Sequence, residues 1–371
     1  MNLKLRFERS WGRLGMRYKL SDICDYAKGK TDVSDLNNQT YISTENMIPN
    51  KGGITVATSL PTTVQAKSFM VGDVLVSNIR PYFKKIWHAD FDGGCSNDVL
   101  VFHAKNGVNN KYLYYVLAND AFFDYSMATS KGTKMPRGDK TAIMQYDVPD
   151  FSYDKQIKIA NILDAIDQKI QLNKKINKNL ERQAQAIYTE MFITNADPTW
   201  SLGHLSDLIT VKYGKDHKKL SNGEFPVYGS GGIMRYVERP LYNKESVLVP
   251  RKGTLNNVLY VNEPFWSVDT MFYTEMRQSN IAKYVFHYLK GKDLASMNAG
   301  SAVPSMTTAI LNAMELRIPD ANTLKRFEDL VSPMYVAMAD NNTQSAKLEA
   351  LRDTLLPRLM SGEIDVSNLD L

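Results

Sequence analysis

The chain states one pattern twice. Leu20-Ser21-Asp22-Ile23 returns as Leu205-Ser206-Asp207-Leu208, and Ile42 as Val227, each at an offset of 185 residues (205 − 20). Further along, Val74-Leu75-Val76 pairs with Val247-Leu248-Val249, and Ser96-x-Asp98 with Ser267-x-Asp269. Gly132-x-x-x-Pro136 then returns as Gly300-x-x-x-Pro304, by which point the offset has shrunk to 168 (300 − 132). A steadily shrinking offset is what two diverged copies of one unit produce when the first carries the longer loops. The period is far too long for a solenoid, whose repeats run roughly 20–50 residues. A chain of 371 residues has room for two such units, each with its own core. Duplication therefore predicts internal pseudo-two-fold symmetry, and an object of matching approximate symmetry to act on.

Each copy has a globular and a helical part. In the globules, short β-branched or aromatic runs are bounded by Gly, Asn and Pro, as in Asp73–Ser77, Asp98–Phe102, Ser246–Val249 and Asn257–Val261, and read as strands. Apolar stretches at 112–117 and 284–289 read as helices packed on a sheet. The helical part is more sharply defined. From Asp154 to Phe192 there is no Gly or Pro, and a seam recurs at alternating spacings of four and three: Ile159, Leu163, Ile166, Ile170, Asn173, Asn177, Leu180, Ala184, Ile187, Met191. Shifting by 168 gives Phe327, Val331, Met334, Met338, Asn341, Ser345, Leu348, Arg352, Leu355 and Leu359. That is a heptad seam rather than a generic amphipathic face. Pro333 is its one blemish and predicts a kink, or a helix that begins properly only near it. At 1.5 Å per residue, such a helix makes a rod on the order of 50 Å long.

If the two helices pack antiparallel about a local two-fold axis, residues whose numbers sum to 518 face each other. Leu163 then meets Leu355, Ile170 meets Leu348, Asn173 meets Ser345, Asn177 meets Asn341, Leu180 meets Met338 and Ile187 meets Val331. Polar layers meet polar layers except where Ile166 faces Arg352. Polar residues in a seam cost stability but fix register. The expected class is α+β, with two similar globules joined by two long antiparallel coiled-coil helices in a dumb-bell whose spacer sets a distance. The expected divisions are 1–152 (N-terminal arm and first globule), 153–195 (first spacer helix), 196–319 (second globule) and 320–371 (second spacer helix and tail).

Against this frame, several strings resemble the specificity (S) subunits of Type I restriction-modification systems. Gln156-x-Lys158-Ile159-Ala160-x-Ile162-Leu163-x-x-Ile166-Asp167-x-Lys169-Ile170 resembles the start of that family's first spacer helix, and Leu180-Glu181-x-x-Ala184-x-x-Ile187-x-x-x-x-Phe192 its end. Leu351-Arg352-x-x-Leu355-Leu356-Pro357-x-Leu359-Met360-Ser361-Gly362-Glu363-Ile364 is similar to its C-terminal signature. Gly72-Asp73-Val74-Leu75-x-Ser77-x-x-Arg80-Pro81 and Arg251-Lys252-Gly253-Thr254 resemble recurrent pieces of target-recognition domains, and Leu5-Arg6-Phe7 the usual opening. The resemblance implies a division of labour. Each globule reads one half of a split, asymmetric double-stranded DNA target, and the helices hold the halves at a fixed separation. Two modification (M) subunits carry S-adenosylmethionine and methylate adenine, while restriction (R) subunits, with ATP and Mg, translocate and cut.

Composition agrees and excludes alternatives. The net charge of +5 resides in residues 1–19, where Lys4, Arg6, Arg9, Arg13, Arg17 and Lys19 face Glu8 alone. This basic balance permits a nucleic-acid partner without requiring one. Cys24 and Cys95 stand alone, the five histidines never fall at ligand spacing, and no signal peptide or membrane-length apolar run occurs. The expected location is the reducing cytoplasm, with no metal and no cofactor in this chain. An amino-methyltransferase needs a Pro-Pro-aromatic element that the chain lacks, and Gly229-Ser230-Gly231-Gly232 lacks the Gly-Lys-Ser/Thr of a P-loop and reads as a turn. Asp167-Gln168-Lys169 has the letters of a nuclease site but falls in the coiled coil, where such charges are usually a solvated flank. No catalytic residue is therefore expected. The alternatives to DNA reading are a protein-interaction scaffold or a self-contained methyltransferase or nuclease.

Candidate DNA contacts are basic or amide side chains on loops: Arg80, Lys84, Lys85, Lys131, Lys134 and Arg137 with Tyr82 in the first globule. In the second they are Lys215, Lys218, Lys219, Arg235, Arg251, Lys252, Asn256 and Asn257. Arg pairs bidentately with guanine and Asn with adenine, whereas Lys mostly meets phosphate. For M-subunit docking the candidates off the seam are Ile162, Tyr188, Phe192, Leu356 and Met360, with Arg352 reaching outward to a partner's acid; the competing role for the apolar ones is packing on the adjacent globule.

Overall fold

Alternation in the central strands decides how each half of the chain packs. The computed structural model describes residues 17–297, 305–367 and 369. In strand Val74–Ser77, Val74 and Val76 enter one apolar cluster while Leu75 enters another. In Val99–Ala104, Leu100 and Phe102 join the first cluster, and Val99 and Val101 the second. Successive side chains of a strand point to opposite faces, so an unbroken apolar run specifies a sheet covered on both sides. Each fully buried Val, Leu or Phe contributes about 1.5–3 kcal/mol.

Contacts divide the chain into two units, residues 1–173 with 343–371, and residues 174–342. The expected boundaries set the helices apart; the contacts instead give each globule its own portions of both helices. In the first unit one antiparallel sheet has the order Cys24–Tyr26, Val99–Ala104, Val74–Ser77, Ile86–His88. A second runs Lys30–Asp32, Gln65–Phe69, Gly93–Cys95, Tyr41–Ile42, its last pair parallel. Helices Asn110–Ala118 and Asp120–Ala128 cover the outer face of the first sheet. In the second unit the corresponding sheet is Ile209–Tyr213, Met271–Met276, Ser246–Pro250, Leu259–Val261. The smaller sheet there is Gly232–Val237, Phe225–Gly229, Trp266–Ser267, again closing on a parallel pair. Gly229–Gly232 forms the turn between two of its strands.

The sequence repeat is also a repeat of hydrogen bonds. Leu20 N donates to Tyr146 O at 2.8 Å, and Leu205 N to Met314 O at 2.8 Å. Lys19 N donates to Asp22 Oδ2 at 2.7 Å, and His204 N to Asp207 Oδ2 at 2.7 Å. The antiparallel pair Arg17↔Pro149 returns as Leu202↔Arg317, and the parallel pair Ile42↔Cys95 as Val227↔Trp266. The bridge Ile79↔Arg137 returns as Lys252↔Ser305. Gly300 and Pro304, the N-terminal basic residues before Arg17, and Leu5-Arg6-Phe7 lie outside the described residues.

The long helices are Tyr153–Thr189, followed by a π-helical turn at Glu190–Thr194, and Ala321–Met360. Their caps repeat as well. Ser152 Oγ accepts from Lys155 N at 3.4 Å, and Asp320 Oδ1 from Asn322 N and Thr323 N at 2.9 and 3.0 Å. Such caps satisfy the donors that a first turn leaves open. The second helix runs through Pro333, which lies exposed in its interior rather than at its start. It ends where Gly362 takes a left-handed φ of 72°, a conformation that glycine adopts without penalty.

No seam residue in either helix is exposed. Within the first unit, Asn173 Nδ2 donates to Ser345 Oγ at 3.2 Å and to Gln344 Oε1 at 2.9 Å. Within the second, Asn341 Nδ2 donates to Asn177 Oδ1 at 2.8 Å, and Asn177 Nδ2 to Met338 O at 3.1 Å. The pairs 173 with 345 and 177 with 341 sum to 518, while Asn173 also reaches Gln344 and Asn177 also reaches Asn342 Oδ1 at 2.8 Å, each one residue off that register. Among the described residues no helix is long and apolar enough to cross a membrane.

Candidate nucleic-acid interface

Three loops meet at one edge of the first globule. The segment after strand Val74–Ser77 makes a short turn, Pro81–Phe83, flanked by Arg80 and Lys84 with left-handed φ of 49° and 51°. Arg80 N donates to Pro136 O at 2.8 Å, tying this loop to the one at 130–138. That second loop is closed by reciprocal bonds between Lys131 and Arg137, both 2.9 Å. A third loop contributes Asn50 and Lys51, with φ of 56° and 61°, whose amides donate to Phe83 O and Lys84 O at 2.8 and 2.9 Å. Four of the five non-glycine residues with positive φ among the described residues therefore lie at this edge. Strained backbone of this kind persists only where the surroundings over-determine it, and it concentrates at functional sites.

The side chains at this edge fall into two groups. Tyr82 and Lys134 are exposed, and the Tyr82 and Phe83 rings sit 4.7 Å apart. Arg80 is half-buried, and its Nε is buried without a protein hydrogen bond. Lys131 pairs with Asp139 at 2.6 Å and Arg137 with Asp98 at 3.2 Å; both cations are exposed, and such surface pairs cost little to open. Lys84 pairs with Asp120 at 2.8 Å. Lys85 is different: its Nζ donates to Thr44 O at 2.6 Å, and burial lowers its pKa. It braces a loop instead of projecting from it.

The second globule presents Lys215, Lys218 and Lys219, all exposed, on the loop after Gly214. The Lys215 carbonyl accepts from Trp266 Nε1 at 2.8 Å, which fixes the loop's base. Arg251 lies over the Tyr213 ring at 5.3 Å and donates to Asp269 O at 3.3 Å, and Lys252 is exposed beside it. Three candidates here are struts. Arg235 donates to Leu220 O at 2.8 Å and to Asn222 Oδ1 at 3.1 Å. Asn256 engages both ends of its amide, donating to Asp293 Oδ1 at 3.0 Å and accepting from Ala295 N at 2.9 Å, so a bidentate hold on adenine would have to break both bonds. Asn257 donates to Ser230 O at 2.8 Å. Lys51, Asp120, Tyr213 and Tyr236 are further candidates that the sequence pattern alone does not single out. Tyr213 and Tyr236 are 53% and 50% exposed, enough for bases or sugars to pack on. The turn signal Asn50-Lys51-Gly52-Gly53 was the one available pointer to Lys51.

Where globule meets helices, equivalent positions carry different chemistry. In the first unit Tyr115 Oη donates to Asp167 Oδ2 at 2.9 Å, and Arg352 Nη1 to Asp167 Oδ1 at 2.8 Å. Burial alone would lower the Arg352 pKa, but Asp167 and then Asp353 outweigh it, and the guanidinium is held charged. Asp167 is thus a junction residue and not a solvated flank. Arg352 is satisfied within the chain instead of reaching outward to a partner. In the second unit the matching position is His287. It meets Gln185 Oε1 through Nδ1 at 2.8 Å and Tyr335 Oη through Nε2 at 2.9 Å, and stacks 5.5 Å from the Tyr188 ring. A neutral imidazole with its proton on Nδ1 satisfies both bonds, and burial pushes its pKa down to about 4. Nearby, buried Lys283 pairs with Glu328 at 2.6 Å and Glu245 at 3.1 Å.

Four of the six expected docking residues are likewise interior. Tyr188 and Phe192 belong to the core of the second unit, Leu356 and Met360 to that of the first, and Ile162 is half-buried against the latter. Their apolar faces complete the globules, which corrects the docking assignment. Among the described residues no group of three or more His, Cys, Asp or Glu is placed to hold a metal. Cys24 and Cys95 are buried, and burial pushes both thiols up to about 12.

The chain is similar to the Type I restriction enzyme MjaIX specificity subunit of Methanocaldococcus jannaschii, 23% identical over 71% of each chain. It is also similar to the HindI specificity subunit of Haemophilus influenzae, 22% identical over 94% of this chain and 99% of the relative. A crystal structure of a Type-I restriction-modification system S subunit from M. genitalium shares the fold, with a TM-score of 0.59 at 17% identity over 95% of this chain and 96% of that one. The family model described as Type I restriction modification DNA specificity domain matches twice, at residues 16–182 and 198–349. With both copies of its repeat so matched, the chain belongs to the Type I restriction-modification DNA specificity family.

Proposed function

We propose that this chain reads an asymmetric, bipartite double-stranded DNA target as the non-catalytic specificity subunit of a Type I restriction-modification complex. The observation that carries the reading is the loop edge of the first globule, where Arg80, Tyr82, Lys84, Lys131, Lys134 and Arg137 come together on over-determined backbone. The second globule offers a different set, with Tyr213, Lys215, Lys218, Lys219, Arg251 and Lys252. Phosphate contacts position a protein on DNA and base contacts specify, so two unlike sets imply two unlike half-sites. On this reading the long helices form the antiparallel spacer that fixes half-site separation, and the base pairs between matter for number and not identity.

The methyl transfer and cleavage belong to M and R partners, which supply S-adenosylmethionine, ATP and Mg. Exposed apolar residues of the helices, among them Leu172 and Leu351 in the first unit and Ile176, Leu330 and Val336 in the second, are side chains left for an M subunit. Replacing the first globule by that of another specificity subunit, and mapping methylated adenines across the host genome, tests the reading. One half-site should change and the other stay. A change in both halves, or methylation by the purified chain alone, would overturn it.

A further inference from the structure

Two lysines at the loop edge converge on one carboxylate. Lys51 Nζ lies 2.9 Å from Asp120 Oδ1, and Lys84 Nζ 2.8 Å from Asp120 Oδ2. Their side chains are 11% and 29% exposed, whereas Asp120 is 56% exposed. The cations are therefore sheltered and the anion lies on the solvent side. Neither lysine is free to drift. Both have left-handed backbones, and the two loops are cross-bonded through Asn50 N to Phe83 O and Lys51 N to Lys84 O. Asp120 is the first residue of helix Asp120–Ala128, next to its cap Asn119, and its carboxylate is held by the two ammonium groups. Burial would raise its pKa, but hydrogen bonds from Lys84 and Lys51 outweigh that and hold it low, so the carboxylate stays ionised.

A carboxylate with one ammonium on each oxygen has the charge and geometry of a phosphodiester with one ammonium on each non-bridging oxygen. We infer that Lys51 and Lys84 form a preorganised seat for one DNA backbone phosphate, and that Asp120 is an intramolecular occupant which the phosphate must displace. The inference rests on the first globule's loop edge facing DNA. Its consequence is a device for specificity. A sequence-independent phosphate contact is discounted by the competing carboxylate, so non-target DNA is held less tightly than the positive charge of the face would allow. The correct sequence, which adds base contacts through neighbours such as Arg80, supplies the free energy to displace Asp120.

The test measures binding of the full chain with its modification partner to a short non-target duplex and to a target duplex, across a salt series. Asp120→Asn removes the occupant's charge but keeps its shape. Non-target affinity should rise about three- to tenfold at low salt, and the salt dependence should steepen by about 0.9 in log–log slope, one phosphate's worth. Lys51→Gln in the Asp120→Asn background should return the slope to the parental value. If Asp120 merely braces the fold, its variant lowers the thermal midpoint and leaves the slope unchanged. That result, with Arg80→Ala still weakening binding, would sink the seat and leave the DNA face standing. If neither Asp120→Asn nor Arg80→Ala alters binding, the DNA-face reading falls with it.

Discussion

In the first unit the globule meets the helices through charge: Arg352, Asp167 and Tyr115 form one bonded chain. In the second, the equivalent positions hold a neutral histidine between Gln185 and Tyr335, and the nearby charge moves to Lys283, Glu328 and Glu245. Many backbone bonds recur at equivalent positions of the two units, as do the first-turn bonds to the Asp22 and Asp207 carboxylates, although the smaller sheets differ. What is held constant is therefore the ladder, whose geometry leaves little latitude, while the side-chain junctions have diverged. A junction needs only to satisfy every buried polar group, and an ion pair or a neutral network can each do that.

The largest expected effect breaks the charged junction. Asp167→Ala leaves the sheltered Arg352 guanidinium with Asp353 alone and should destabilise the first unit by about 3 kcal/mol. Denaturant unfolding followed by hydrogen exchange in each unit would measure it, and an equal loss in both units would contradict the separation of the two junctions. Next comes acid. The unfolded chain binds a proton at His287 near pH 6.5, and the folded one only near 4. Between these values the unfolded state holds more protons, so the stability this group contributes is fully present above about pH 6.5 and is lost as pH falls. The second unit should weaken by about 2 kcal/mol between pH 7 and 5, and His287→Gln should flatten that slope.

Smaller effects sharpen the contrast between the loop faces. Arg80→Ala and Arg251→Ala should each relax one half of the target, read out by methylation mapping, with about 1–3 kcal/mol of discrimination lost at one position if the side chain reads guanine. Smallest is Lys134→Ala, at an exposed position. It should change stability by less than about 0.5 kcal/mol, yet reduce the salt slope of binding by about 0.9 at every sequence.

Much of the scaffold was legible because it is written in periodicity. The β-branched run at Val74–Ser77 and the heptads around Asn173 and Asn177 are local patterns, and the repeat fixed which parts of the chain are equivalent. Pro333 misled as a start signal: the helix already runs from Ala321, and the proline sits on its exposed side, where tertiary packing on Phe327 and Val331 carries the helix past it. The functional surface was less legible. Lys85, Arg235, Asn256 and Asn257 have the right chemistry for DNA and are committed to Thr44, Leu220 and Asn222, Asp293 and Ala295, and Ser230. Tyr188, Phe192, Leu356 and Met360 looked like an outer face of the helices and close the globules.

The sequence by itself determined the duplication and the strands and helices, because each depends on spacing along the chain. Only the tertiary structure decided which charges are free to meet a partner. Lys51 and Asp120, Asp167 and Arg352, and Asn256 and Asp293 lie far apart in sequence, and a charge is neutralised by whatever folding places within a few ångströms of it.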